Sequence, residues 1–259
     1  TTTKYRGSYE KGERKTFTYD ANVVFNYARS FEKHSINVAA VWNVRESSVD
    51  SYSVLAVNYP NEQMDHFGMG TAFKEGGKPS GDYEVSRLMG FAGNVNYGWD
   101  NRYLLDLSIR TDGSSVYGAN QRWGTFGSVG VAWNIHRERW FEDSRVVSDL
   151  KLRGSIGSTG GQNFYPFQSI RMFSYKDDLV DGITYNGSIG ALLKSYGNTD
   201  LKWQKNLKRN IGLDFAFFRS RLSGYVNYYK EDSKALLIDV LLAPSTGFNS
   251  YKDNLGEVE

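Results

Sequence analysis

Asp106 and Arg110 form the first pair in this chain whose types and spacing could do chemistry. They stand in RYLLDLSIRTDG, a stretch that alternates residue by residue, so they share one face of a strand, two positions apart, where they could pair. No catalytic constellation surrounds them, and the plainer reading is polar side chains hydrogen-bonded to their neighbours. Asp112-Gly113-Ser114-Ser115 offers oxygens of the kind calcium takes, but it lacks the ligand series of an EF-hand and reads as a turn. Ser158-Thr159-Gly160-Gly161-Gln162 has the small residues of a phosphate loop, yet no Lys-Ser/Thr follows and no helix is predicted after it. The three histidines, His34, His66 and His136, are too scattered for a metal cluster. Cysteine is absent, which excludes disulfides, thiolate metal sites and thiol catalysis. The sequence thus predicts no enzyme, no catalytic residue, no metal site and no cofactor. What remains is an aromatic set in Asn163–Asp200, from which Tyr165, Phe167, Tyr175, Tyr185 and Tyr196 are the candidate ligand contacts. Their rings could stack on sugars or peptide side chains; the competing reading has them packing within the loop or against a partner.

Composition narrows the classes. With 31 basic and 29 acidic residues in 259, a formal charge of +2, there is no electrostatic case for nucleic acid. Aromatics reach 15%, led by 18 tyrosines, high for a soluble domain and ordinary for a barrel with interfacial aromatic girdles. No run approaches the roughly 20 apolar residues of a membrane helix. That is no argument against a membrane protein, because barrel strands alternate and keep the average low; the mean hydropathy is −0.52. The chain begins TTTKYRGSYE and ends NLGEVE, and it is read as a piece of a longer protein.

The elements that must position these residues are strands. Tyr103, Leu105, Leu107 and Ile109 alternate with Leu104, Asp106, Ser108 and Arg110; Val129, Val131, Trp133 and Ile135 alternate with Ser128, Gly130, Ala132 and Asn134. Each strand therefore has one apolar face and one polar or small face. The same pattern holds over Phe17–Tyr27, Ile36–Val44, Met89–Tyr97, Leu150–Ile156, Ile211–Phe217 and Leu222–Tyr228. Runs of about 15 residues exceed the usual five or six of soluble strands. Thr1–Tyr9 reads as the tail of a strand and Lys11–Arg14 as a short connection. Val49–Asp82 breaks the alternation and reads as a long loop holding a short helix, and HRERWFEDSRVVSD after Ile135 as a helical turn. Tyr97, Tyr103, Trp133, Phe217 and Tyr228, on apolar faces near strand ends, are expected to be girdle residues.

Connections alternate in length. Short ones sit at Phe31–His34, Trp99–Asn101 and Arg219–Arg221; long ones at Val49–Asp82, Asp112–Trp123 and Asn163–Asp200. In an antiparallel meander, alternate connections share one end of the sheet, so one end carries turns and the other loops, the asymmetry of outer-membrane barrels. A soluble all-β ligand-binding module using the same tyrosines is the rival reading.

RYLLDLSIRTDGSSVYGANQRWGTFGSVGVAWNI resembles the most recognisable segment of SusC/RagA-type TonB-dependent transporters, with its Arg-Tyr-Leu start, Asp-Gly-Ser-Ser turn and Arg-Trp-Gly restart. DLKLRGSIGSTGGQN, NTDLKWQKNLKRNIGLDFAFFRSRLSGYVNYYKEDSKALL, LLAPSTGF and the terminal NLGE resemble the following segments of that family, collinear from Ser86 to Glu259, with weaker similarity in Phe17–Arg45. Gly127, Gly161 and Gln204 depart from the proline, asparagine and glutamate usual there, which leaves the fold intact and weakens a claim to any one substrate. The resemblance implies an all-β fold, an antiparallel transmembrane β-barrel segment of about nine strands from a 22-stranded barrel. On that reading residues 1–259 are a partial barrel domain, without the plug domain and the C-terminal strands. It implies import of an oligosaccharide or peptide across the Gram-negative outer membrane. Its partners would be outer-membrane lipid, a SusD-like surface lipoprotein, and the TonB complex through the missing N-terminal region. A barrel serving as a structural or secretion-machinery component is the alternative.

Overall fold

Backbone hydrogen bonding, more than hydrophobic burial, defines this chain. In the computed structural model the strands are, in order, β1 (Ser8–Phe31), β2 (His34–Val57), the two-residue β3 (Ala72–Phe73), β4 (Ser80–Trp99), β5 (Tyr103–Ser114), β6 (Trp123–Asn134) and β7 (Val147–Gly161). Three short strands follow, β8 (Met172–Lys176), β9 (Thr184–Tyr185) and β10 (Ser188–Ser195), then β11 (Gln204–Phe217), β12 (Leu222–Leu241) and β13 (Ser250–Val258). The structure describes residues 5–259 apart from 75, 76, 78, 142, 143, 145, 162–164, 177–183, 186 and 187, with the backbone alone for 175, 176, 184, 185, 188 and 189.

The main sheet runs β1-β2-β4-β5-β6-β7-β11-β12-β13, with β3 added beside β2; β8, β10 and β9 make a separate three-stranded sheet. Nine strands in sequence order form the antiparallel meander that the alternation predicted. Contacts divide the chain into two compact units, residues 1–19, 45–87 and 173–193, and residues 20–44, 88–172 and 194–259.

In the second unit the turns explain themselves. Trp99 stands opposite Tyr103, and the connection passes through Asp100 (φ 55°) and Asn101 (φ 50°), left-handed positions that Asp and Asn tolerate better than other non-glycine residues. The segment after Asn134 makes two 3-10 turns, Ile135–Arg137 and Arg139–Phe141, as read from its sequence.

The first unit corrects the boundaries. β1 is one strand from Ser8, so the polar residues Lys11–Arg14 lie within it and form no connection. β2 continues to Val57, and β4 begins at Ser80; the helix expected in Val49–Asp82 is a single 3-10 turn, Phe67–Met69. Here cross-strand polar pairs replace apolar alternation: Thr18 with Ser47 (2.9 Å), Ser53 with Ser80 (2.7 Å), and Tyr52 donating to Glu13 (3.3 Å). A ladder whose two faces are both wet needs no period-two hydrophobicity. Asn163–Asp200, read as irregular, contains β8–β10.

Candidate functional site

Register assigns the faces. One row across the sheet reads Tyr97, Leu105, Val131, Gly154, Ile211 and Tyr228, each directly opposite the next; the adjacent row towards the turns reads Trp99, Tyr103, Trp133, Leu152, Leu213 and Val226. These side chains are apolar and largely exposed, with Ile211 at 61% and Tyr228 at 70%. Trp99, Tyr103, Trp133 and Trp140 form an aromatic ladder at the turn end, with ring centroids 5.5, 6.2 and 6.5 Å apart in succession. Of these the sequence singled out Tyr103 and Trp133 alone. Tyr97 turns its hydroxyl to His34 Nδ1 at 2.8 Å.

Glu138 ties the ladder to its turn. Its Oε1 accepts from the Tyr103 hydroxyl (2.8 Å) and from Trp133 Nε1 (3.0 Å), while Arg102 Nη1 reaches Oε2 at 3.3 Å. The Tyr103 bond, then the Trp133 bond and the Arg102 charge, hold the Glu138 carboxyl below its ordinary pKa. A depressed carboxylate stabilises the fold above its unfolded pKa, and that contribution is lost as pH falls through the folded value. Glu138→Gln is therefore expected to lower the unfolding midpoint at neutral pH. The difference should vanish under acid conditions, as read by thermal unfolding across a pH series.

The opposite rows are polar. Asn96, Asp106, Gly130, Ser155, Asn210 and Tyr229 stand opposite one another, and the next row reads Asn94, Ser108, Ser128, Gly157, Lys208 and Glu231. Their groups are knitted together: Asn96 donates to Asp106, Ser108 meets Ser128 at 2.6 Å, and Lys208 meets Glu231 at 3.3 Å. Arg153 bridges Asp214 (3.2 Å) and Asn227 (2.8 Å). Arg110 pairs with Asp112, at 2.7 Å, and not with Asp106. Asp112 is the nearer partner because β5 runs on to Ser114 and keeps both residues on one face, while Asn96 engages Asp106 from the neighbouring strand. This face holds a concavity of about 750 Å³ floored by Ser108, Ser128, Gly157 and Lys208.

At the loop end of the polar face lies a buried cluster that the sequence did not reveal. Tyr117 (1% exposed), Leu201 (0%) and Trp203 (5%) pack with Val116 and with Phe126, which projects from β6. Tyr117 and Trp203 rings are 4.2 Å apart, Phe126 and Trp203 5.7 Å. Tyr117 donates to Gly161 O (2.8 Å) and Trp203 Nε1 to Arg122 O (3.0 Å). Burial raises the Tyr117 phenol well above its ordinary pKa, so it stays protonated and keeps donating. Backbone bonds from Gly118 to Leu201 O and from Asn120 to Thr199 O close the seam. Gly124 and Gly160 are required by close approach: a Cβ on the first would stand 2.7 Å from the Trp203 ring, and on the second would run into Phe126. Asn254 completes the latch, accepting from Lys202 N (2.9 Å) and donating to the carbonyls of Lys202 (3.0 Å) and Ala235 (2.8 Å).

A two-faced meander with ion pairs on one side and an aromatic-edged apolar band on the other is the construction of a membrane barrel wall. The model of the family described as TonB dependent receptor-like, beta-barrel, matches residues 1–259. The chain belongs to that family. TonB-dependent receptor P39 of Formosa agariphila is 28% identical over 236 residues, covering 91% of this chain and 22% of the relative. TonB-dependent receptor SusC of Bacteroides thetaiotaomicron is 36% identical over 177 residues, covering 66% of this chain and 17% of the relative. A solved structure of the RagAB peptide transporter superposes with a TM-score of 0.86 at 24% identity, over 96% of this chain and 27% of that one. The chain thus spans about a sixth to a quarter of the length of the relatives it matches.

In a TonB-dependent receptor barrel the apolar rows face lipid and the polar rows face the lumen. Parts of the segments that carried the family resemblance meet in the buried cluster and its latch: Val116, Tyr117 and Phe126 from Arg102–Ile135, Gly160 and Gly161 from the segment after it, Leu201 and Trp203 from the third, and Asn254 from the terminal one. The aromatic candidates are placed separately. Tyr165 is 75% exposed; Phe167 is half-buried in a left-handed turn (φ 69°); Tyr196 packs its ring on Phe248 at 4.3 Å. Among the described residues no ring contact joins these three to one another, and the side chains of Tyr175 and Tyr185 lie outside the described residues. Phe248, from the APSTGFNS loop, is the aromatic the sequence reading missed; its place in a Gly-bearing turn was the signal available.

Proposed function

We infer that this chain is part of the wall of a SusC-like importer of the Gram-negative outer membrane, a multi-pass barrel that moves an oligosaccharide or peptide through its lumen with energy delivered through TonB. The observation that carries this reading is the ion-paired polar face backed by a lipid-facing band, in a chain 36% identical to SusC. The remaining length of the polypeptide would supply a plug domain and the other strands. The likeness to SusC and to RagAB supports a SusD-like lipoprotein over the loops. Tyr165 and the Tyr196–Phe248 pair offer ring faces for sugars or apolar side chains there, and Phe167, Tyr175 and Tyr185 belong to the same proposed ligand-contacting loop.

Deleting the full-length gene is expected to abolish uptake of one glycan or peptide class and to leave others unchanged, measured as growth on each as sole source. Unchanged growth on all of them contradicts the import reading. Tyr165→Ala in the full-length protein is expected to weaken uptake of that class with barrel assembly intact.

A further inference from the structure

The lipid-facing side does not stay apolar. Because strands of a barrel tilt, a row of paired residues climbs relative to the turns. The row of Trp99 and Tyr103 lies against its own turn, but the same row meets β11 at Leu213, four residues before Phe217, where the β11–β12 turn begins. The row that reads Val95, Leu107, Val129 and Ile156 accordingly ends on Arg209 and Lys230. Two positions further up, Leu207 stands opposite Asp232, and beyond that Lys205 stands opposite Lys234.

Two rows of cation facing cation are unfavourable in a strand pair left to itself. Asp232, 14% exposed, takes Arg209 at 2.9 Å and Lys230 at 3.8 Å; Lys230 also meets Glu259, and Lys234 meets Glu257 at 2.7 Å. Lys205 has no hydrogen bond or ion pair among the described residues, and it is exposed on the lipid-facing side of β11. Directly below lies a second feature. Gly154 interrupts the apolar row between Val131 and Ile211; a Cβ there would meet Ile211 Cγ1 at 3.8 Å and Val131 Cγ2 at 4.0 Å, ordinary contact distances. The gap is part of an apolar groove of about 500 Å³ running past Leu152, Trp133 and Tyr103.

We propose that the outer wall of β7 and β11–β12 is a binding site for a single phosphorylated lipid of the outer leaflet, with its phosphate over Lys205 and Arg209 and an acyl chain in the Gly154 groove. The charge favours an anion, since β11 and β12 present four cations and one carboxylate here, against Glu257 of β13 and Glu259 just after it. The groove favours a chain, since it opens onto lipid and its upper end, Ile211, is the residue facing Tyr228 immediately below Arg209 and Lys230. Free phosphate would satisfy the first feature alone. The site lies on the opposite side of the wall from the lumen and stands whether or not the barrel imports.

The test uses the full-length protein, stripped of lipid in detergent and examined by native mass spectrometry with added dipalmitoyl phosphatidic acid, dipalmitoyl phosphatidylcholine or inorganic phosphate. Phosphatidic acid is expected to be retained as one equivalent, about tenfold more tightly than phosphatidylcholine, with no displacement by inorganic phosphate. Lys205→Gln with Arg209→Gln, and separately Gly154→Leu, should each lower retention by about tenfold, while Lys208→Gln on the lumen side leaves it unchanged. Folding is checked by the gel mobility of unheated samples. Lys205→Gln alone, at a position whose side chain has no hydrogen bond or ion pair among the described residues, serves if the double variant fails to assemble. Equal retention of the two lipids, displacement by inorganic phosphate, no bound phosphatidic acid, or retention untouched by Lys205→Gln and Gly154→Leu overturns the proposal.

Discussion

Trp203→Ala is expected to destabilise the full-length barrel by about 3–5 kcal/mol, the range for truncating a buried tryptophan. The residue is 5% exposed and sits between Tyr117 and Phe126, so alanine leaves a cavity that the backbone seam between Gly118 and Leu201 prevents from closing. It also strands the carbonyl of Arg122, which Trp203 Nε1 now satisfies at 3.0 Å. Trp203→Phe keeps most of the packing and loses that bond, and should cost about 1–2 kcal/mol. Heat-induced loss of the compact form on unheated gels measures the stability. Limited proteolysis should show new cleavage in residues 115–122 with Trp203→Ala. An unchanged midpoint, or no new cleavage there, would mean that these loops are not held by this cluster.

The second large effect separates the two faces. Val131 is 55% exposed on the lipid-facing row, between Leu105 and Gly154. Val131→Arg puts a charge into hydrocarbon and is expected to cost about 2–4 kcal/mol in mid-band, less towards a rim. Gly130, the preceding residue, faces the lumen opposite Asp106 and Ser155, and a Cβ there would meet theirs at 3.6 and 3.8 Å, ordinary contact distances. Gly130→Arg gains a carboxylate neighbour and should cost less than about 1 kcal/mol. Equilibrium unfolding from lipid vesicles compares the two. Equal penalties would contradict the face assignment.

Much of the wall was legible because Val129, Val131 and Trp133 must all lie on one face of a strand whatever surrounds them, and that face either meets a second layer or meets lipid. The alternation in connection length then favoured the barrel. The strand extents were less legible: Val49–Val57 and Ser80–Asp82 show no clean period of two, and only the hydrogen-bonded ladder continues there. The latch was hidden for a different reason. Tyr117, Trp203 and Gly160 are far apart in sequence and follow no period, so their meeting depends on register alone. Arg110 shows the limit of spacing arguments: same-face neighbours at both two and four residues are available, and the choice of Asp112 over Asp106 was made by Asn96 on another strand.

The most direct test of the central claim, that this chain is a lipid-backed barrel wall, is single-cysteine labelling of positions 128 to 134 in a cysteine-free full-length protein held in membranes. A water-soluble maleimide should label cysteines at Ser128, Gly130 and Ala132, while those at Val129, Val131 and Trp133 should resist it and report contact with a lipid-phase quencher. Aqueous labelling of the whole strand, or loss of the period of two, would contradict the account.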